Sequence, residues 1–387
     1  MNSMLEDSGG GQGDADDLGL NAYPMEPDPV PEDSANAQVD LPSRTLGTLQ
    51  KVQNGPKLPY DTDGSSIDLY WSKAPVFGVN PSSTMRSPTV TLVDTTAWLF
   101  GGCDDNESSR DIYCFDTETL QWSRPDTIGE TPPPSRTHTA TLVNRNIVVY
   151  GGGQGSTFYD STYVLDTITR CWSRPPVTGP TPQARRAHTA VHYQGKIYIF
   201  GGGNGKSALN DLWTLDVSNI TKLHWQELET SGRKPKHRGY HTANLIGNAM
   251  IVVGGSDGKD CFDDIWCLNL GTLRWTKLLI DTSVPHCRLS HSSTQVGSYL
   301  FIFGGHDGTR YVHDLLLFNL ASLAFEPRGT LGTAPSARGY HAALLANGRL
   351  FLFGGTDGTT QFDEVHLLDA PPLYFPQVTH FNIQVPE

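Results

Sequence analysis

The stretch KIYIFGG, residues 196–202, alternates β-branched and aromatic side chains and then stops on two glycines. The same design recurs as TAWLFGG (96–102), NIVVYGG (146–152), AMIVVGG (249–255), YLFIFGG (299–305) and RLFLFGG (349–355). The pairs are Gly101–Gly102, Gly151–Gly152, Gly201–Gly202, Gly254–Gly255, Gly304–Gly305 and Gly354–Gly355, at steps of 50, 50, 53, 50 and 50 residues. A period near 50 built of short strands does not make one large core. It makes a series of small sheets, each of which needs its neighbours to bury its faces.

Other residues keep phase with the glycines. Thirteen residues ahead of each pair stand His138, His188, His241, His291 and His341, with Pro88 in the first repeat. Two or three residues before these come Arg86, Arg136, Arg185 or Arg186, Arg238, Arg288 and Arg338. Ten residues after the first glycine lie Asp111, Ser161, Asp211, Asp264, Asp314 and Glu364. Trp122, Trp172, Trp275 and Phe325 follow at 21 residues, and Trp225 at 24, the three extra residues falling between Trp213 and Trp225.

Each repeat reads as four strands: an alternating HTATLV-like run, the run ending on the glycines, a DSTYVLD-like run, and a strand holding the tryptophan. Period-2 alternation, β-branched and aromatic content, and Gly or Pro punctuation all favour strands. This pattern resembles the kelch repeat over residues 67–370. The resemblance implies an all-β fold, a six-bladed propeller with four antiparallel strands per blade around a central channel.

The last blade has three strands of its own, at 341–346, 349–353 and 364–369. IDLYWSKAPVFG, centred on Trp71, matches the fourth-strand segments QWSRPDTIG and CWSRPPVTG, yet no first three strands precede it. A closed ring needs such an orphan to complete its last blade and remove its open edges. Phe375, 21 residues after Gly354, is in phase for the same slot, but Pro376 follows it directly. The near-identity of WSKAP to WSRP favours Trp71.

Residues 1–60 are expected to be an acidic disordered tail, and 371–387 a tail against the outside of the ring. Residues 1–40 hold ten acids and no Lys or Arg, most of the net charge of −13. Prolines at 24, 27, 29 and 31, many glycines and few β-branched residues argue against a packed core there. The chain has no apolar run of 18 residues and no basic-plus-hydrophobic leader pattern. The six cysteines show no CxxC and no repeat-locked spacing. A cytoplasmic protein with reduced thiols is the expectation.

GGGNGKS at 201–207 imitates a phosphate-binding loop, but the GxxxxGK[ST] pattern needs glycine where Phe200 stands, and GGGQGS recurs at 151–156. Histidines that recur once per repeat are read as buried elements tying blades together, not as a catalytic or metal set. No cofactor, metal or catalytic residue is expected. The glycines, these histidines, Trp71, Trp122, Trp172, Trp225 and Trp275 are assigned to the scaffold.

Scaffold positions repeat because every blade has the same packing problem, so a partner site belongs where the copies differ and the chain is in loops. The loops after the glycines include CDDNESSRD and HDGTRYVHD; the loops leading to the histidines include PQARRA and GRKPKHRGY. Arg185, Arg233, Lys234 and Lys236 form the candidate cationic site, with Tyr240, Tyr311 and Tyr340 as aromatic anchors. They suit a protein partner, in particular an acidic or phosphorylated peptide. The acidic total and lack of a basic stripe point away from nucleic acid, and nothing points to membrane insertion.

Similarity to kelch proteins implies a non-catalytic interaction scaffold or adaptor, of the kind found in cell polarity and small-GTPase or trafficking pathways. It leaves two alternatives: a substrate receptor of a ubiquitin ligase, though no BTB or F-box pattern precedes the ring, and a kelch-type enzyme such as an oxidase or isomerase.

Overall fold

The computed structural model describes residues 69–81, 85–104, 106–280, 284 and 286–370. The expected acidic tail at 1–60, the C-terminal tail and the alternative strand at Phe375 lie outside the described residues. Among the described residues there is no helix. Six sheets form a six-bladed propeller, each blade led by the strand after its histidine or proline and followed outward by the strand that runs into the glycines.

Blade 2 shows the order: Thr139–Val143, Asn146–Tyr150, Thr162–Asp166 and Cys171–Ser173 are consecutive antiparallel neighbours. Beyond these four lies a short fifth strand, Ile128–Gly129, parallel to the fourth. Equivalent outer strands are Phe77–Gly78, Val177–Thr178, Ser231–Gly232 and Thr330–Gly332. They are formed by the chain as it passes from one blade to the next. Gly129 explains their glycine: its φ is +89°, and a Cβ there would sit 2.1 Å from the Trp172 carbonyl oxygen.

Leu69–Lys73 is the fourth strand of blade 6. It pairs antiparallel with Val365–Asp369, with Trp71 opposite Leu368, and parallel with Thr330–Gly332 on its other side. The chain's first described strand and its last share one sheet, so the ring is held shut by hydrogen bonds along a β-ladder.

Six apolar clusters fill the six junctions between blades. In each, the residue just before the glycines meets the fourth-strand aromatic of the next blade. Phe100 packs on Trp172 (ring centroids 5.2 Å), Tyr150 on Trp225 (4.7 Å), Phe200 on Trp275 (4.8 Å), Phe303 on Trp71 (5.3 Å) and Phe353 on Trp122 (5.8 Å). At the fourth junction the smaller Val253 shares its cluster with Phe325.

The twin glycines make room for the histidines. A Cβ on Gly151 would lie 2.8 Å from Cε1 of His188 in the next blade, and one on Gly152 would lie 2.7 Å from Cβ of His138 in its own. Each histidine thus sits between a glycine of the preceding blade and a glycine of its own. Its Nε2 hydrogen-bonds a hydroxyl of the preceding blade at 2.8–3.0 Å: Thr89, Thr139, Thr189, Thr242 and Ser292 serve His138, His188, His241, His291 and His341. At the sixth junction Pro88 replaces the histidine and Ala342 the hydroxyl, so both halves of the bond are missing together. That junction relies on rings instead: Phe115 and Trp122 of blade 1 pack against Phe351 and Phe353 of blade 6.

Two predictions follow from this packing. Trp71→Ala removes an indole that is 1% exposed and should cost about 3–5 kcal/mol. Deleting residues 1–60 should leave the melting temperature almost unchanged, and deleting 1–80 should lower it sharply; equal melting temperatures for the two truncations would contradict closure by this strand. The histidines give a pH signature. Burial holds His138, His291 and His341 down at about 3, and His188 and His241 well below the ordinary 6.5. The unfolded chain takes up protons below 6.5 and the folded one does not. Stability is therefore full above pH 6.5 and falls toward pH 3, by about 1.4 kcal/mol per pH unit for each histidine. Denaturant titrations between pH 6.5 and 5 should show a shallower slope for His188→Gln/His291→Gln than for the native chain. Equal slopes would mean these imidazoles are charged in the folded state.

Candidate functional site

The centre of the loop face is built from backbone. The residue before each histidine or proline is left-handed: Ser87, Thr137, Ala187, Tyr240, Ser290 and Tyr340 have φ of 53–58°. Each donates its N–H to the carbonyl of its counterpart in the preceding blade at 2.8–3.2 Å, and Ser87 donates to Tyr340, closing the circuit. A second closed circuit lies beside it. The N–H of the second glycine of every blade donates to the next blade's residue three before the histidine, at 2.7–2.9 Å, from Gly102 to Ser135 around to Gly355 and Met85.

The two arginine positions before the histidines separate cleanly. Three residues before stand Met85, Ser135, Arg185, Arg238, Arg288 and Arg338. Arg185 is fully buried; its guanidinium donates to both carboxylate oxygens of Asp211 (2.8 and 2.7 Å) and to the Gly201 carbonyl (3.0 Å). Arg238 does the same with Asp264 and Gly254, and Arg338 donates to one carboxylate oxygen of Glu364 (2.8 Å) and to the Gly354 carbonyl (3.1 Å). Arg288 pairs with Asp314. The indole N–H groups of Trp213 and Trp266 complete the Asp211 and Asp264 shells at 2.7 Å. Burial raises the pKa of both aspartates, but the guanidinium hydrogen bonds and charge outweigh it and hold both below 3.8. The acidic residue ten after the glycine is thus the in-blade counter-ion of the arginine.

Arg185 is therefore corrected: expected on the partner rim, it belongs to the scaffold, since a guanidinium with no exposure and a bidentate partner has nothing to offer a ligand. Arg186 is the variable residue. Its place is taken by Gly239, Leu289 and Gly339 in blades 4, 5 and 6, and it lies over the Phe158 ring at 4.6 Å with Gly155 oxygen at 3.4 Å.

The tyrosines also move inward. Tyr240 and Tyr340, both on the inner circuit, meet edge to face at 5.7 Å across Ser290, and Arg86 stands 5.7 Å from the Tyr340 ring. Tyr340 is buried and Tyr240 half-buried. Tyr311 is half-buried in blade 5 and covers two glycines of blade 6: a Cβ on Gly339 or Gly358 would come within 2.9 or 3.1 Å of its ring. These residues shape the centre of the face and lock its loops together; they do not stand free on its rim.

Arg233, Lys234 and Lys236 are exposed, as is His237. They follow the outer strand Ser231–Gly232 and lead inward to Arg238. Asn210 anchors this loop by donating Nδ2–H to the Pro235 carbonyl at 3.1 Å. Lys236 lies 3.9 Å from Asp260 and 5.8 Å from the Phe262 ring. No carboxylate pairs with Arg233 or Lys234 among the described residues.

GGGNGKS is a turn between strands. Lys196–Gly203 pairs with Ala208–Asp216, and Asn204 Oδ1 accepts the N–H groups of Lys206 and Ser207. Among the described residues no group of three His, Cys, Asp or Glu side chains is arranged to hold a metal ion, and no helix is long and apolar enough to cross a membrane. Cys261 and Cys287, expected as free thiols, are brought together with their sulfur atoms side by side and their Cα atoms 5.9 Å apart.

The chain matches the KLHDC2/KLHL20/DRC7 Kelch-repeats domain over residues 87–305 and 281–382. It belongs to the kelch-repeat family. The kelch propeller is similar to Kelch domain-containing protein 3 of Bos taurus, 32% identical over 78 residues, which cover 18% of this chain and 20% of that protein. It is also similar to Acyl-CoA-binding domain-containing protein 6 of Oryza sativa subsp. japonica, 42% identical over 69 residues, covering 18% of this chain and 10% of that protein. The chain thus spans a fifth or less of the length of these relatives. Kelch propellers are typically protein-interaction modules.

Reading the sequence missed the outer-strand glycines, although a signal existed: Gly78, Gly129, Gly179, Gly232 and Gly332 each lie seven residues after a repeat aromatic, and none follows Trp275. The split between Arg185 and Arg233 has a direct consequence. Arg185→Ala should cost about 2–4 kcal/mol, below the figure for a wholly buried pair because Asp211 keeps 26% of its side-chain exposure. Lys234→Ala should cost almost nothing. Denaturant midpoints of the two variants check this, and a stable Arg185→Ala protein would return Arg185 to the list of binding residues.

Proposed function

We propose that this propeller is a non-catalytic adaptor in the cytoplasm that takes an acidic or phosphorylated segment of a protein partner on the loop leading into blade 4. Arg233, Lys234 and Lys236 are the contacts, with Arg186 one blade away toward the channel. One observation carries the reading: four arginines of the same face are consumed by in-blade carboxylates, whereas among the described residues Arg233 and Lys234 pair with none and Lys236 has only a long, exposed contact with Asp260. An exposed cation on an anchored loop keeps its charge available, and several together attract carboxylates and phosphates from a distance.

The shape of the face supports the same reading. The two backbone circuits and the ring-on-glycine contacts hold the loops rigidly, so a partner segment need not order them on binding. The tyrosine pair at Tyr240 and Tyr340 narrows the centre of the face, which directs an extended segment across the rim and away from the channel.

An array of acidic peptides, with and without phosphoserine, tests the proposal. Arg233→Glu/Lys234→Glu/Lys236→Glu should keep the melting temperature within about 2 °C of the native value and lose most of the captured peptides. Binding by the native protein should decline as salt rises. Full capture by the triple variant would show that these cations are merely solvated.

A further inference from the structure

The loops of the face are joined blade to blade by a recurring clasp. Seven residues after the first glycine stand Phe158, Cys261 and Tyr311 in blades 2, 4 and 5. Each lies over a loop glycine of the next blade. Phe158 is 3.0 Å from the Cβ that Gly205 would carry, Tyr311 is 3.1 Å from that of Gly358, and Cys261 Cβ is 3.2 Å from that of Gly308. At two of these junctions an aromatic ring provides the contact. At the third only a Cβ makes the contact, and the Cys261 sulfur lies beside that of Cys287 in the loop leading into blade 5.

We propose that Cys261–Cys287 is a redox site: a covalent clasp between the face loops of blades 4 and 5 that opens on reduction and lets the blade 4 loop loosen. Three observations support it. The Cα atoms are 5.9 Å apart, within the span of a disulfide. Both residues are half-buried and sit in loops, so a reductant can reach them. The remaining cysteines do not compete: Cys103, Cys114 and Cys267 are buried, Cys171 lies in a fourth strand of another blade, and burial pushes the Cys114 and Cys267 thiols up to about 12.

The reaction is a thiol–disulfide exchange with a dithiol. One reductant sulfur attacks one cysteine sulfur, the other cysteine leaves as thiolate and takes a proton, and the reductant's second thiol then closes on its first. That second step releases the first cysteine, which also gains a proton. Two electrons pass to the protein, and the reductant becomes a disulfide.

Opening acts on a loop that is also held within blade 4: Ser256 pairs with Gly239, and the Phe262 N–H donates to the Gly255 carbonyl at 2.9 Å. Residues 257–260 form a turn closed by Asp257 Oδ1, which accepts the N–H groups of Lys259 and Asp260. The neighbours of Cys261 are Asp260, which faces Lys236, and Phe262, which lies under Arg238. Without the bond, no aromatic ring spans to Gly308, as Tyr311 does to Gly358. The Arg238–Asp264 pair and the ladders remain, so the change is confined to the face.

The full chain is digested after blocking free thiols, with and without prior dithiothreitol, and amide exchange is measured in both states. A cross-linked peptide joining Cys261 and Cys287 should appear, vanish with dithiothreitol and return with oxidised glutathione. Reduction should speed exchange at 257–262 by about tenfold and leave 306–312 unchanged. Cys261→Ser and Cys287→Ser should each exchange like the reduced protein and ignore dithiothreitol. Free alkylation of both cysteines in oxidised protein, or equal exchange in the two states, would overturn the proposal. Neither readout depends on which partner the rim binds.

Discussion

Six residues in left-handed backbone conformation, joined head to tail by hydrogen bonds around the channel, are the constraint on which the rest of the propeller depends. Thr137, Tyr240 and Tyr340 carry side chains that make such a φ unfavourable, by about 1–2 kcal/mol each. They hold it because the turn aims each N–H at the carbonyl one blade back. A closed circuit has no end to fray. The glycine-to-carbonyl circuit beside it fixes the rotation of each blade against the next, and that rotation decides where every loop of the face emerges.

Around these circuits each junction solves the same problem with the same parts. A histidine needs space on both sides and a hydroxyl to bond, and a tryptophan needs an aromatic or branched neighbour from the preceding blade. The junction between blades 6 and 1 shows how tightly the parts are coupled. With proline in place of histidine, the hydroxyl is gone as well, and four aromatic rings take over the contact. It is also the junction beside the shared sheet, where Leu69–Lys73 joins Val365–Asp369.

The face carries function on what the scaffold leaves over. Burial of a guanidinium demands a partner, and in blades 3 to 6 the acid ten residues beyond the glycine meets that demand. Blades 1 and 2 have Met85 and Ser135 at the same place, and there Arg124 and Arg174, just past the fourth strands, bond Asp111 and Ser161 instead. The cations near Arg233 stand outside this scheme. Asn210 anchors their loop, so the charges of Arg233 and Lys234 are not spent on holding it.

The repeat made the fold legible in the sequence. Six phased glycine pairs required small sheets, and the phased histidines and tryptophans marked the surfaces that meet, because a contact repeated from blade to blade leaves its residues at nearly equal intervals. Trp71 could be assigned to the last blade for the same reason, its strand copying the others in pattern. Periodicity could not say which of two adjacent arginines faces inward. Arg185 and Arg186 differ by one residue on a chain that turns sharply at Ala187, and only the direction of that turn sends Arg185 to Asp211 and leaves Arg186 outside. Nor could it bring Cys261 to Cys287 or Tyr240 to Tyr340. These residues lie on different blades, and their distances depend on the rotation of one sheet against the next, which is set by packing across junctions and is written in no single repeat.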